Sequence, residues 1–319
     1  MRISGFSMGR NALKLYYPMK QAVMSILPIV DEFVVALGDS DEDDRTREEI
    51  LSIGSDKIRI IDTVWDIEKY PRGMEHAHQT DIAKEHCTGD WLFYLQSDEV
   101  IHEKYLPAIR ERCRELLDDR EVEGLLFRYI HFWGDYGHYQ DSHCWYRHEI
   151  RIIRNDPEIH SWESAQSFRK IPDFDRLNYR RQENTHKLKV AKVDAAVFHY
   201  GWVRPPKLMQ NKIKAFSANH RGKARIEQEE KLKLYDKVFD YGNLSRLSVF
   251  KGTHPEVMKE WIADFNWKDQ LRFSGPDYSL NPVKNKHDKW KYRVISWMEK
   301  HLVFGNRLGE FRNYILLKR

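Results

Sequence analysis

Two apolar runs that each break off into carboxylates constrain this chain more than anything else in it. The run Asp31-Glu32-Phe33-Val34-Val35-Ala36-Leu37 passes through Gly38 into Asp39-Ser40-Asp41, and Gly89-Asp90-Trp91-Leu92-Phe93-Tyr94-Leu95 stops at Gln96-Ser97-Asp98-Glu99. Continuous apolar runs of this length suit strands covered on both faces. Further strands are expected over 1–7 and 57–62, and helices over 13–27, 46–53 and 75–86, so strand and helix alternate as in parallel βαβ units. Open sheets of that kind bind ligands beyond the carboxyl ends of their strands. Asp39 and Asp98 are therefore expected to face one crevice.

Strand-like runs follow over 124–129, 149–154 and 195–200, and after Pro205-Pro206 the chain turns helical and highly charged. Two regions are expected, 1–205 and 206–319. In the second, Val257, Met258, Trp261, Ile262 and Phe265 form one helical stripe. Trp290, Val294, Trp297 and His301 form another, whose spacing predicts core packing. The whole chain, with 53 basic and 49 acidic side chains, has a net charge of only +4, so nothing global favours nucleic acid. Residues 284–319 nevertheless carry ten Lys/Arg against three Asp/Glu, a local excess that suits a solvated helical face, phosphates or an anionic membrane surface.

No run approaches the roughly 20 apolar residues of a membrane span. The first residues lack the profile of a secretory signal. Cys87, Cys113 and Cys144 are far apart in sequence and read as free thiols in a reducing compartment, so a cytoplasmic protein is expected. The acidic loop from Asp39 to Asp44 fails as a calcium loop, because Asp44 and Ile50 stand where that template needs glycine and glutamate. Capping and solvation account for most of its carboxylates, and Asp39, nearest the strand, is left to meet a nucleobase or ribose. His131, His138, His143, Cys144 and His148 fall close together without a zinc spacing. His199, ending an apolar strand before Gly201 and the proline pair, is the best-placed histidine for a site.

Taken together, the segments around Arg10-Asn11-Ala12, Val30 to Asp41, Gly89 to Glu99 and Phe198-His199-Tyr200-Gly201-Trp202 resemble the family 2 glycosyltransferases, inverting enzymes with a GT-A nucleotide-sugar fold. The resemblance spans about residues 1–205. It implies an α/β, Rossmann-like, mixed and mostly parallel sheet flanked by helices, here followed by a helical C-terminal region. It also implies a UDP- or GDP-sugar donor, a divalent metal (Mn or Mg) and a glycan, lipid-linked or protein acceptor in bacterial glycan or surface-polysaccharide assembly. Asp39 matches the base-contacting acidic residue, Asp98 the last Asp of the Asp-X-Asp metal motif, and His199 a further metal or diphosphate contact. Gln96 stands where the motif has its first acidic residue, leaving a neutral amide for the ribose. Arg204, or else Arg151 or Arg154, is expected to share the diphosphate charge. Glu163 is the expected catalytic base, with Trp162 beside it to stack on a sugar. Two rival readings are a sugar nucleotidyltransferase and an RNA-binding module built on the basic tail and its aromatics. The first lacks a glycine-rich basic loop after the opening strand.

Overall fold

The computed structural model describes residues 1–232, 236, 238–275, 286–303, 307–309 and 312–319. Strands β1 (Ile3–Gly9), β2 (Glu32–Leu37), β3 (Ile58–Asp62) and β4 (Trp91–Tyr94) pair in parallel in the order β3-β2-β1-β4. Alternate residues serve opposite layers. Phe33, Val35, Trp91 and Phe93 pack with α1 (Met19–Ile26), α2 (Thr46–Leu51) and α4 (Leu106–Glu115). Val34, Ala36, Leu92 and Tyr94 pack on the side of α3 (Met74–Glu85). Both faces are thus covered, which is why β2 from Phe33 onward and the whole of β4 are apolar.

The sheet continues through β5 (Glu99–Ile101), β6 (Gly124–Trp133), β7 (His138–Gln140), β8 (His148–Arg154), β9 (Ile159–Trp162), β10 (Ser167–Lys170) and the long β11 (His186–Trp202). Strand β8 is antiparallel to both β4 and β6, and β11 lies parallel to β6. Six strands, β1 to β4, β6 and β11, therefore run the same way and end at one edge. The fold is the α/β, Rossmann-like class with a mixed, largely parallel sheet, as expected.

After residue 205 the chain folds back onto this sheet. Helices α5 (Pro206–Arg221), α6 (Lys223–Lys231), α7 (Lys259–Ala263) and α8 (Trp290–His301) alternate with short strands β12 (Ser248–Val249) and β13 (Tyr314–Leu316). Strand β12 pairs with β7, and β13 pairs with β11. Met209, Phe239, Tyr241, Leu244, Met258 and Trp267 bury themselves against Phe132, Trp133, Phe198 and Tyr200. Of the basic segment 284–319, residues 284, 285, 304–306, 310 and 311 lie outside the described residues.

One helix is shorter than its periodicity predicts. The expected helix over 13–27 begins only at Met19. Pro18 has no amide hydrogen and disfavours helical backbone in the residue before it, and Tyr16 takes a left-handed φ of 61°. Strands β6 and β11 are longer than expected: β6 runs on through the buried Ile130-His131-Phe132-Trp133 between β11 and β7, and β11 begins earlier, at His186, where its alternating polar and apolar residues pair with β10, β13 and β6.

A buried ion pair joins the two halves of the sheet. Arg151 Nε and Nη2 each donate to a different carboxylate oxygen of Glu99 at 2.7 Å, and neither side chain has any solvent exposure. Tyr129 Oη donates to the same carboxylate at 2.8 Å, and the amide of Gln96 does so at 3.1 Å. The remaining guanidinium nitrogen donates to the carbonyls of Ile150 and Gln166. Glu99→Gln strips the charge from one side and leaves a buried guanidinium uncompensated. It is expected to cost about 3–5 kcal/mol, read as a lower denaturant midpoint, with Glu99→Gln/Arg151→Met losing less than the two single changes summed.

Candidate functional site

The edge where the six strands end collects Arg10, Asp39, Asp98, His131 and His199. Register brings the last three together. Beyond β4 the chain turns through 96–98 and returns as β5, antiparallel to β11, with Glu99 opposite His199. On its other side His199 is opposite His131 of β6. The amide of Tyr200 donates to the Asp98 carbonyl at 2.8 Å, so Asp98 is held alongside the end of β11.

A chain of hydrogen bonds fixes which nitrogen of His199 is free. His131 Nε2 lies 2.8 Å from the Tyr146 carbonyl, so that nitrogen carries the hydrogen. His131 Nδ1, bare in the neutral ring, accepts from His199 Nδ1 at 3.0 Å. Burial, above all, keeps both rings neutral by lowering their pKa values. The lone pair of His199 Nε2 is left facing Asp98 Oδ2 at 3.7 Å. Two lone pairs that face each other at this distance call for a cation between them.

Lys212, from α5, supplies a positive charge at that place. Its Nζ is 3.4 Å from Asp98 Oδ2 and also donates to the Gly201 carbonyl. Burial, and then repulsion from Arg204, pushes the Lys212 ammonium down to about 7. Burial raises the Asp98 carboxyl, but the nearby Lys212 ammonium, with Arg204, outweighs it and holds the group below the usual carboxylate range. Gly201 leaves the room for this packing. A Cβ there would lie 2.5 Å from Asp98 Oδ2 and 2.6 Å from His199 Nε2.

A carboxylate oxygen and an imidazole nitrogen suit a divalent ion such as Mn2+ or Mg2+ that takes its other ligands from water and phosphate. Among the described residues no group of three or more His, Cys, Asp or Glu could hold a metal unaided. The protein thus offers two ligands, and the rest of such a shell has to come from a substrate.

Asp39 sits beyond the end of β2, with β1 between it and the end of β4. Its carboxylate accepts the Trp65 amide at 3.0 Å and pairs with Arg10 at 3.3 Å. The rest of the acidic loop is spent on structure, since Lys14 binds Asp41 and Asp43, and Asp44 accepts the amides of Lys14 and Thr46. Beneath Asp39, the Trp65 indole packs on Gly38. Trp65 Nε1, Thr63 Oγ1, Glu75 Oε2 and Gln79 Oε1 are all buried there without a hydrogen-bond partner. Burial, reinforced by Asp66 and Asp39, raises the Glu75 carboxyl. So many unsatisfied donors and acceptors in one place are rare in a folded protein unless a ligand completes them.

Other expected site residues fall elsewhere. Arg204 is fully buried, gives hydrogen bonds to the carbonyls of Leu15 and Gly201, and stacks on Tyr17 at 4.5 Å. Gln96 Nε2 donates to the Ala165 carbonyl at 2.9 Å, which ties the strand end to the loop bearing Glu163. Glu163, with φ of 57°, is half-exposed and pairs with Arg180 at 3.5 Å. Trp162 is buried against Arg169 and presents no open face to a sugar. Arg151 is consumed by Glu99. Arg154 binds the carbonyls of Leu116, Leu117, Asp119 and Val122 beside Trp91, at the opposite end of β4 from the crevice, because β8 runs antiparallel. Of the histidine-rich stretch, His138 bonds Asp135 and His143 bonds Glu299. His76, under Trp65, is pushed down to about 4 by burial, and His78 bonds Tyr179. Sequence reasoning missed His131, Gly201 as a spacer, Lys212, Glu75 and Gln79. Only α3 carried a signal, as a helix with many polar residues between two apolar strands.

No family model matches the chain, and no curated protein matches it. Among solved structures, glucosyl-3-phosphoglycerate synthase from Mycobacterium tuberculosis, in complex with Mn2+, uridine-diphosphate and phosphoglyceric acid, is 18% identical. The alignment covers 40% of this chain and 43% of that one, with a TM-score of 0.29. TarS 1–349 from S. aureus is 15% identical over 69% of this chain and 65% of its own, with a TM-score of 0.37. The chain spans less than half the length of the first of these. Likenesses this shallow carry no chemistry across to it.

Manganese titrated calorimetrically in the presence of a nucleoside diphosphate tests the cluster. Affinity is expected to rise with pH through about 7, as the Lys212 ammonium loses its proton and stops competing for Asp98. Lys212→Met should flatten that limb and leave the loss at lower pH that comes from His199. Gly201→Ala, which displaces both ligands, should weaken binding by about 10–100-fold.

Proposed function

We propose that this chain is an inverting glycosyltransferase that moves a sugar from a nucleoside diphosphate sugar, with uridine or guanosine as the base, to an acceptor hydroxyl. The observation that carries this reading is the pairing of Asp98 and His199 at the carboxyl edge of a parallel sheet, two metal ligands short of a full shell. The remaining ligands would come from water and from a donor's phosphate oxygens. The unsatisfied groups under Asp39, near the ends of β2 and β3, are the proposed place for the nucleobase and ribose of such a donor, and Gln96 is the proposed contact to a ribose hydroxyl. The resemblance in sequence points to the same class of donor.

In the reaction the acceptor oxygen attacks the anomeric carbon, the bond from that carbon to the diphosphate breaks, and configuration inverts. The nucleoside diphosphate departs with the electron pair. Asp98 and His199 would hold a divalent ion, which would supply Lewis-acid stabilisation of that leaving group. Lys212 adds a cation at the same place once the diphosphate draws it from Asp98. Arg204 acts from behind, fixing the Gly201 carbonyl and the loop at Leu15. Glu163 is the proposed base that takes the acceptor proton. The acceptor is a glycan, lipid or protein in bacterial glycan or surface-polysaccharide assembly, in the cytoplasm and in peripheral contact with an anionic membrane.

A panel of nucleoside diphosphates titrated with and without manganese decides the matter. One base should bind tightly with the ion, and Asp98→Ala should lose most of that binding. Absence of binding to every nucleotide defeats the proposal, and metal-independent binding unaffected by Asp98→Ala defeats the assigned metal site. Glu163→Gln is expected to leave nucleotide affinity unchanged and lower kcat by about 10²–10⁴-fold.

A further inference from the structure

Helix α8 turns a mixed face inward. Tyr292, Ile295, Ser296 and Met298 are half-buried on that side, and the one fully buried residue is the carboxylate Glu299. Glu299 accepts from His143 Nδ1 at 2.7 Å, Arg307 Nη1 at 2.6 Å and the Leu308 amide at 2.9 Å. Ser296 Oγ accepts the His143 amide at 2.9 Å. Arg307 also reaches the carbonyls of Ser142 and Trp145. These bonds fix the helix rotationally on the 142–145 loop. Its apolar stripe is thereby turned to solvent, with Trp290 78%, Trp297 57% and Val294 47% exposed, and Leu302 beyond its end is also exposed. Positions 290, 294, 297 and 301 share one side of a helix, so the core packing their spacing predicts does not occur.

Cations border this stripe. Lys289, Lys291, Arg293 and Lys300 are all exposed. Among the described residues no salt bridge engages any of them, and the helix's one acidic residue, Glu299, is on the buried face. Exposed tryptophans on a helix rimmed by Lys and Arg match an element that lies in the plane of a bilayer, rings at the headgroup level and cations toward anionic lipid. The charge argues against self-association, because two copies meeting through this stripe would bring like charges together. Protein interfaces are also depleted in lysine at their centres.

We infer that the outward face of α8, centred on Trp290, Val294 and Trp297, docks the protein on an anionic lipid surface. The inference rests on the transferase reading only for why a membrane is visited, and it makes the general membrane contact proposed there specific to one helix face. A face of this geometry holds the crevice at a fixed orientation to the bilayer, which suits an acceptor presented from the membrane.

Co-sedimentation of the full chain with vesicles of phosphatidylcholine, alone or containing phosphatidylglycerol, tests it. Binding should need the anionic lipid and fall with salt. Trp290→Ser/Trp297→Ser and, separately, Lys291→Glu/Arg293→Glu/Lys300→Glu should each weaken it at least about tenfold. Both sets lie at the exposed surface, so circular dichroism should match the parent. Undiminished binding by both variants overturns the inference, as does absence of binding to either vesicle. Concentration-dependent dimerisation abolished by Trp290→Ser/Trp297→Ser, without vesicle binding, overturns it in favour of a second copy. Nucleoside diphosphate affinity measured on the same variants should be unchanged. A chain that binds vesicles and no nucleotide would keep the docking face and lose the transferase reading.

Discussion

The bidentate contact between Arg151 and Glu99 is the constraint on which the edge of the sheet depends. Burying two full charges costs several kcal/mol per ion, repaid only where geometry is good and the leftover donors and acceptors are satisfied. Here Tyr129, the Gln96 amide and two carbonyls provide that satisfaction, and the guanidinium lies near the rings of Tyr94 and Tyr129 at 5.4 and 5.2 Å. Residues 96–99 consequently have one available conformation. Asp98, immediately before the anchored carboxylate, inherits that rigidity, whereas a carboxylate on a free loop would pay conformational entropy for every ligand it bound.

With Asp98 fixed, the rest of the cluster follows from strand register. Two strands from distant parts of the chain place His131 and His199 side by side, and the Tyr146 carbonyl selects their tautomers through a single hydrogen bond. A second carboxylate near Asp98 would strengthen metal binding by the protein alone. Among the described residues none supplies that carboxylate to the cluster, and with Lys212 beside Asp98 the proposed site would hold a cation weakly until an anionic substrate arrived, which would couple ion binding to the binding of the proposed donor.

What could be read from the residues was what depends on local pattern. The strands bearing Val34 and Leu92 are apolar on both faces because helices cover both, and a carboxylate just past such a strand end needs no tertiary information to be placed over the crevice. The positions of Asp39 and Asp98 beyond the ends of β2 and β4 were legible that way. Arg154 was not, because its end of β8 is set by the strand's direction, which one sequence does not disclose. Lys212 and His131 become neighbours of Asp98 only through α5 docking and sheet register. The helix expected over 13–27 was over-extended because apolar periodicity outweighed Pro18, a residue whose missing N–H ends the argument locally. Glu75 and Gln79 were hidden by the ordinary assumption that polar residues on a helix face water.

The same limit applies to α8 in its sharpest form. Periodicity shows that Trp290, Val294 and Trp297 share a side of the helix, and it is silent on which way that side faces. The usual inference that the apolar side faces inward assumes that the hydrophobic term is the largest one acting on the helix. Here Glu299 is buried with His143 and Arg307, and exposing the tryptophans is the consequence. Inverting the helix would bury the stripe but strand a carboxylate's partners, an exchange that costs more than the apolar area regains unless both charges reach water together. The rotation of the helix is therefore set by this polar contact together with Tyr292 and Ile295 on the same side, and the tryptophans on the other side form the surface proposed to meet lipid.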